Sequence, residues 1–139
     1  MTVTYLEHVN MRTANLEAMC RFYEDVLGMV RGARPPFPSA GAWLYCADKP
    51  AVHLVQVEGP TEGHGLGVDH FAFRAQGLAA FLERLDARDL AHRLCVVPGL
   101  EIRQIFVDDP DGNHVEVIFG ADEDADLSGA YRYEEAEPA

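Results

Sequence analysis

The chain is short of cysteine, of long apolar stretches and of basic residues, and each shortage argues against a class of protein. Its three cysteines, Cys20, Cys46 and Cys95, are odd in number, far apart and without a C-x-x-C pair. That pattern argues against a disulfide framework and for buried, reduced thiols. No apolar run approaches the roughly 20 residues needed to cross a bilayer. The start, Met1-Thr2-Val3-Thr4-Tyr5, lacks a basic stretch followed by an apolar one. A cytoplasmic protein without a membrane partner is therefore expected. Lys and Arg number 11 against 23 Asp and Glu, a net charge of −12. Such a surface repels phosphate backbones, so no nucleic-acid partner is expected.

What the chain does have is a repeat. HVNMRTANLEAMCRFYEDVLGM from His8 and HFAFRAQGLAAFLERLDARDL from His70 align at an offset of 62, which superposes His8 on His70, Arg12 on Arg74, Leu16 on Leu78 and Ala18 on Ala80. Each segment opens as a short strand and then turns helical. Leu16, Met19, Cys20, Tyr23, Val26 and Leu27 follow the spacing of an amphipathic helix, with Asn15 as its expected N-cap and Gly28 as its stop. Leu78, Phe81, Leu82 and Leu85 repeat the pattern. Three strand-like runs follow each helix, at about 29–34, 41–46 and 51–57, and again at about 91–97, 102–108 and 114–119. Asp109-Pro110-Asp111-Gly112-Asn113 has the chemistry of a tight turn. One inserted residue makes the offset 63 and lays Val52-His53-Leu54 over Val115-Glu116-Val117.

The expected organisation is α+β. A first βαβββ module spans 1–57, a linker 58–66, a second βαβββ module 67–120, and an acidic, solvated tail 121–139. From Ala121 onward that tail carries seven acids and one base.

Strand alternation then sorts the polar residues. His8, Asn10 and Arg12 share one face of the first strand, and His70, Ala72 and Arg74 one face of its repeat. His114, Glu116 and Ile118 share one face of the last strand. The opposite, apolar sets are expected against the helices. Polar groups recurring on one face of several strands are poor filler, because burying them unpaired is costly. Imidazole and carboxylate together suit one divalent metal, whether Zn, Fe, Mn, Co or Ni. His8, His70 and Glu116 are the first candidates, and His53 joins them as the repeat partner of Glu116. His64 and His92 are read as solvated, and His114 as a rim residue. Trp43, Tyr45, Gln104 and Phe106 are candidates to line the concavity, with core packing the competing role for Trp43 and Phe106.

The sequence resembles the vicinal oxygen chelate superfamily, also called the glyoxalase/bleomycin-resistance/dioxygenase family. The similar residues are His8, Asn15-Leu16, the run Phe22 to Met29 (FYEDVLGM), Val68 to Phe73 (VDHFAF) and Asp109 to Glu116 (DPDGNHVE). The resemblance covers about residues 3 to 119. It implies two βαβββ modules forming an open, cup-like sheet around a metal held by His8, His53, His70 and Glu116. It also implies a homodimer with each site shared between chains, and a small-molecule substrate. Glyoxalase-like lyase or isomerase chemistry is the leading expectation, with metal chelation of substrate oxygens and Glu116 as the catalytic carboxylate. Typical glyoxalases carry a glutamate where this chain has His53. Three neutral imidazoles and one carboxylate leave a divalent ion with one net positive charge, which favours an anionic oxygen ligand. The alternatives are an extradiol-type Fe(II) dioxygenase using two His and one carboxylate, addition to a small electrophile as in fosfomycin-resistance relatives with Arg12, Arg74 and Arg103 available, and a metal-free binding protein like the bleomycin-resistance relatives.

Overall fold

The computed structural model describes residues 6–59 and 70–133. His64 and most of the expected linker lie outside these residues. The chain divides into two compact units, Met1–His64 and Gly65–Ala139.

In the first unit, β1 (Val9–Thr13) leads into α1 (Leu16–Arg21), which continues as a π-helical turn over Phe22–Val26. Next come β2 (Val30–Gly32), β3 (Gly41–Cys46) and β4 (Lys49–Gln56). The sheet order is β1-β4-β3-β2, with β1 parallel to β4 and the other pairs antiparallel. Ala42, Leu44, Val52 and Leu54 are buried on one face, beneath Met19, Cys20, Phe22, Tyr23 and Val26 of the helical segment. Gly28 ends that segment at φ +74, as expected of a glycine stop, and the Gly28 N–H donates to the Glu24 carbonyl at 3.1 Å.

The second unit repeats the plan with β5 (His70–Arg74), α2 (Leu78–Ala87), β6 (His92–Val96), β7 (Arg103–Asp108) and β8 (His114–Phe119). A further strand, β9 (Tyr131–Arg132), extends the order to β5-β8-β7-β6-β9. Leu78, Phe81 and Leu85 of α2 are buried, as are Ile105, Val107, Val115, Val117 and Phe119 of the sheet, and the Phe81 and Phe119 rings lie 5.6 Å apart. The turn between β7 and β8 is built on buried Asp109. Its Oδ1 accepts from the N–H groups of Asp111 and Asn113, and its Oδ2 from the Asn113 side chain. Gly112 there has φ +84, a conformation that favours glycine. This closed turn sets the register of β7 against β8.

Two local expectations are revised. No Asn15 side-chain bond caps α1; the Leu16 N–H is met by Gln56 Oε1 at 3.3 Å, from the end of β4. The stretch read as a solvated tail also carries structure up to Tyr133. Glu123 accepts from the N–H groups of Gly77 and Leu78 at 3.0–3.2 Å and so caps α2, while β9 pairs in parallel with β6. Both helices are thus capped by residues distant in sequence, which no local motif can announce. A carboxylate at a helix N-terminus also meets the positive end of the helix dipole. Replacing Glu123 by alanine is expected to lower stability by about 1 kcal/mol. Urea unfolding measures this, and an unchanged midpoint removes the cap from the account.

Candidate functional site

The two sheets assign equivalent places to His53 and Glu116. In the first, Asn10 of β1 pairs with His53 and Trp43 of β3 pairs with His53 from the other side. In the second, Ala72 of β5 and Phe106 of β7 flank Glu116 in the same way. The offsets of 62 and 63 read from the sequence are therefore those of the strand registers. Both residues project from the face opposite their unit's helix, yet His53 is 8% and Glu116 only 5% exposed. Buried polar groups require partners, and each has them.

Glu116 divides its oxygens. Oε1 accepts from Gln104 Nε2 at 2.7 Å, and Oε2 lies 3.1 Å from His70 Nε2. The Phe106 ring stands edge-on to His70 at 6.2 Å. The Tyr133 hydroxyl, carried in just after β9, donates to Gln104 Oε1 at 2.9 Å. An imidazole nitrogen and a carboxylate oxygen about 3 Å apart have the separation of two neighbouring ligands on one ion at about 2.1 Å. The two atoms are in direct contact and supply two of the donors that a divalent cation would need.

His8 and His53 meet differently. Their rings are stacked, with centroids 3.9 Å apart and planes 13° from parallel, and Trp43 stacks on the other side of His53 at 3.9 Å and 8°. Lone pairs of stacked rings run along parallel planes, so both cannot reach one ion until a ring turns. His8 is the ring with room to turn, since its side chain is 37% exposed and its Nδ1 contact is to the exposed Glu7. His53 Nε2 must be the protonated nitrogen, because its partner at 2.9 Å is the Pro50 carbonyl, which only accepts. That leaves Nδ1 with its lone pair, the arrangement common in metal-binding histidines, whose second nitrogen is tied to a carbonyl. Burial, reinforced by neighbouring His8, lowers the His53 pKa, which favours this neutral form.

Among the described residues, no group of three or more His, Cys, Asp or Glu side chains able to hold a metal is gathered. The structure thus brings His8 to His53 and His70 to Glu116. His114 remains at the rim, exposed and 2.6 Å from Asp108 Oδ1. His92 departs from expectation: it is half-buried, with Nδ1 2.8 Å from the Leu90 carbonyl. Of the arginines, Arg103 donates to the Glu101 carbonyl, and Arg74 borders a depression with Asp122, Glu123 and Asp124. Tyr45 is committed to the Ala33 carbonyl at 2.5 Å. Sequence reasoning missed the Trp43–His53–His8 stack, although the register offset contained the Trp43–His53 pairing. It left open whether Tyr131 and Tyr133 dock on the body, and the structure places the Tyr133 hydroxyl on Gln104.

Comparison with known proteins agrees with the fold. Glyoxylase I 4 of Arabidopsis thaliana is 25% identical over 139 residues, which cover 83% of this chain and 70% of that protein. A glyoxalase family protein from Bacillus anthracis superposes with a TM-score of 0.71 at 18% identity, over 86% of this chain and 98% of that one. Lactoylglutathione lyase from Agrobacterium tumefaciens gives 0.65 at 20% identity, over 86% and 96%. The family model of the glyoxalase/bleomycin resistance protein/dioxygenase superfamily matches residues 5–117, and the chain belongs to that superfamily.

Proposed function

We propose that the protein is a divalent-metal-dependent lyase or isomerase acting on a small oxygenated molecule. His8, His53, His70 and Glu116 would hold the ion, and Glu116 would move the proton. The observation that carries this reading is the contact of exposed His70 with buried Glu116 at 3.1 Å, one carboxylate oxygen already committed to Gln104. The tethered His53, with Nδ1 left as its acceptor, supports it from the first unit. A homodimer with each site drawn from two chains belongs to the same proposal. So does a reducing cytoplasm, which suits three free cysteines.

A bound divalent cation supplies Lewis-acid polarisation of the substrate's oxygens. The chain supplies the rest. Glu116 would take the proton from the carbon beside the substrate carbonyl and return it to the former carbonyl carbon, while the hydroxyl proton of the first carbon passes to the former carbonyl oxygen. Gln104 keeps Oε1 occupied, so the carboxylate does not rotate between proton removal and return. The Trp43–His53 stack gives the first unit a flat aromatic surface beside His53.

The test is metal binding. Protein purified without added metal, or titrated with Zn²⁺, Ni²⁺, Co²⁺ or Fe²⁺, is expected to hold about one ion per site. His8→Ala, His70→Ala and Glu116→Ala should each reduce that content, and His53→Ala asks whether the set has three members or four. Absence of metal with no uptake on titration overturns the proposal. That outcome would favour metal-free binding of a planar ligand, to which the stacked form of His8 and His53 lends itself. Fe²⁺ as the native ion, with oxygen consumed on adding catechols, would favour the dioxygenase instead.

A further inference from the structure

Among the described residues, the second unit contains a hydrogen-bonded line that has no counterpart in the first. Tyr133 O–H meets Gln104 Oε1 at 2.9 Å, Gln104 Nε2 meets Glu116 Oε1 at 2.7 Å, and Glu116 Oε2 faces His70 Nε2 at 3.1 Å. In the first unit the register position of Gln104 is held by Gly41, where a Cβ would lie 2.3 Å from the Leu54 carbonyl oxygen. No side chain can stand there, and His53 is oriented by Pro50 instead. The line is therefore particular to the glutamate.

Its direction follows from donor and acceptor chemistry alone. An ionised carboxylate only accepts, so the end of the Gln104 amide facing Glu116 is its NH₂. The other end is then the oxygen, and Tyr133 must donate to it. Burial, and after it the neighbouring Cys95, pushes the Tyr133 phenol up, so the hydroxyl keeps the proton it donates. Without that hydroxyl the amide oxygen loses its partner, and the amide is free to turn and offer its oxygen to the carboxylate.

Tyr133 reaches this place because β9 pairs with β6, Tyr131 opposite Cys95 and Arg132 opposite Val96. The strand is pinned by Arg132 on Glu101 at 3.2 Å and by Arg93, whose guanidinium lies over the rings of Phe106 and Tyr131. We propose that Tyr133 is a positioning residue that, through Gln104, presents Glu116 to a divalent cation by Oε2 alone. It acts through Gln104 and touches neither ion nor substrate. The inference rests on the metal-site reading above and adds the residue that sets how the carboxylate is offered. Outer partners of this kind are typically worth 10- to 100-fold in metal affinity.

The experiment is a Co²⁺ titration of the full chain, followed by calorimetry and by the visible spectrum of the bound ion, in wild type, Tyr133→Phe, Gln104→Leu and the double variant. Tyr133→Phe keeps the ring against Tyr131, 5.4 Å away and edge-on, and removes only the hydroxyl. Each single variant is expected to bind Co²⁺ about 10-fold more weakly with an altered spectrum. The double variant should bind no more weakly than Gln104→Leu, because Tyr133 acts only through Gln104. Wild-type affinity and spectrum in Tyr133→Phe, or two effects that multiply in the double variant, overturn the proposal, even if the thermal midpoint falls. Wild type that takes up no Co²⁺ overturns the metal reading instead. The line is then judged by the ¹⁵N-resolved side-chain amide signals of Gln104: slow exchange lost in Tyr133→Phe supports it, and unchanged exchange sinks it.

Discussion

Replacing Glu116 by glutamine is expected to lower kcat/KM of the isomerisation proposed above, assayed with a methylglyoxal–thiol adduct as trial substrate, by about 10²- to 10⁴-fold, the usual worth of a positioned acid–base group. The substitution is close to isosteric. Gln104 Nε2 can still donate to the remaining amide oxygen, so the 2.7 Å contact survives in kind. What disappears is the basicity of the carboxylate and the charge that pairs with His70. Because the side chain is 5% exposed, the loss of charge also removes a burial cost, and the unfolding midpoint should not fall. Steady-state kinetics and thermal unfolding on the same preparation decide it. A variant that keeps wild-type turnover takes the proton transfer away from Glu116. One that loses turnover because it unfolds says that the residue is structural.

A second large effect concerns stability alone. Phe119→Ala is expected to cost about 3–5 kcal/mol, a large share of the 5–15 kcal/mol that holds a typical domain together. Phe119 ends β8, is wholly buried, and packs on Phe81 of α2. Its removal strips the ring contact that seats the helix and leaves a cavity that packed neighbours fill only in part. Urea unfolding monitored by far-ultraviolet circular dichroism reads the change. A loss under 1 kcal/mol means that Leu78 and Leu85, both fully buried, seat α2 without it.

Much of this architecture was legible in the sequence because it is periodic. The alternation of Val115, Glu116 and Val117 foretold a carboxylate facing away from the helix, and the repeat foretold that His53 would take the same place in the other sheet. The features that escaped are those made by residues far apart in the chain. Gln56 at the start of α1 and Glu123 at the start of α2 leave no local trace, since the helices they serve lie about 40 or more residues earlier. The π-helical turn at Phe22–Val26 escaped because an amphipathic stripe tolerates one wider turn without changing its composition. The stacking of Trp43, His53 and His8 escaped for another reason. Strand alternation says which face a ring occupies, and leaves open whether neighbouring rings point at a common centre or lie flat on one another. Tyr133 sat inside a stretch whose acidity suggested solvent, yet Glu123, Arg132 and Tyr133 of that stretch all bond to the body of the unit.

The parallel pairing of β1 with β4, and of β5 with β8, also has a consequence in time. Each unit can join its first strand to its last only after a helix and two further strands lie between them, and such distant pairings are slow because loop entropy is lost before contacts are gained. Both histidine-bearing ends therefore come together late in folding. In the second unit, Tyr133 follows later still, the last of these residues to leave the ribosome.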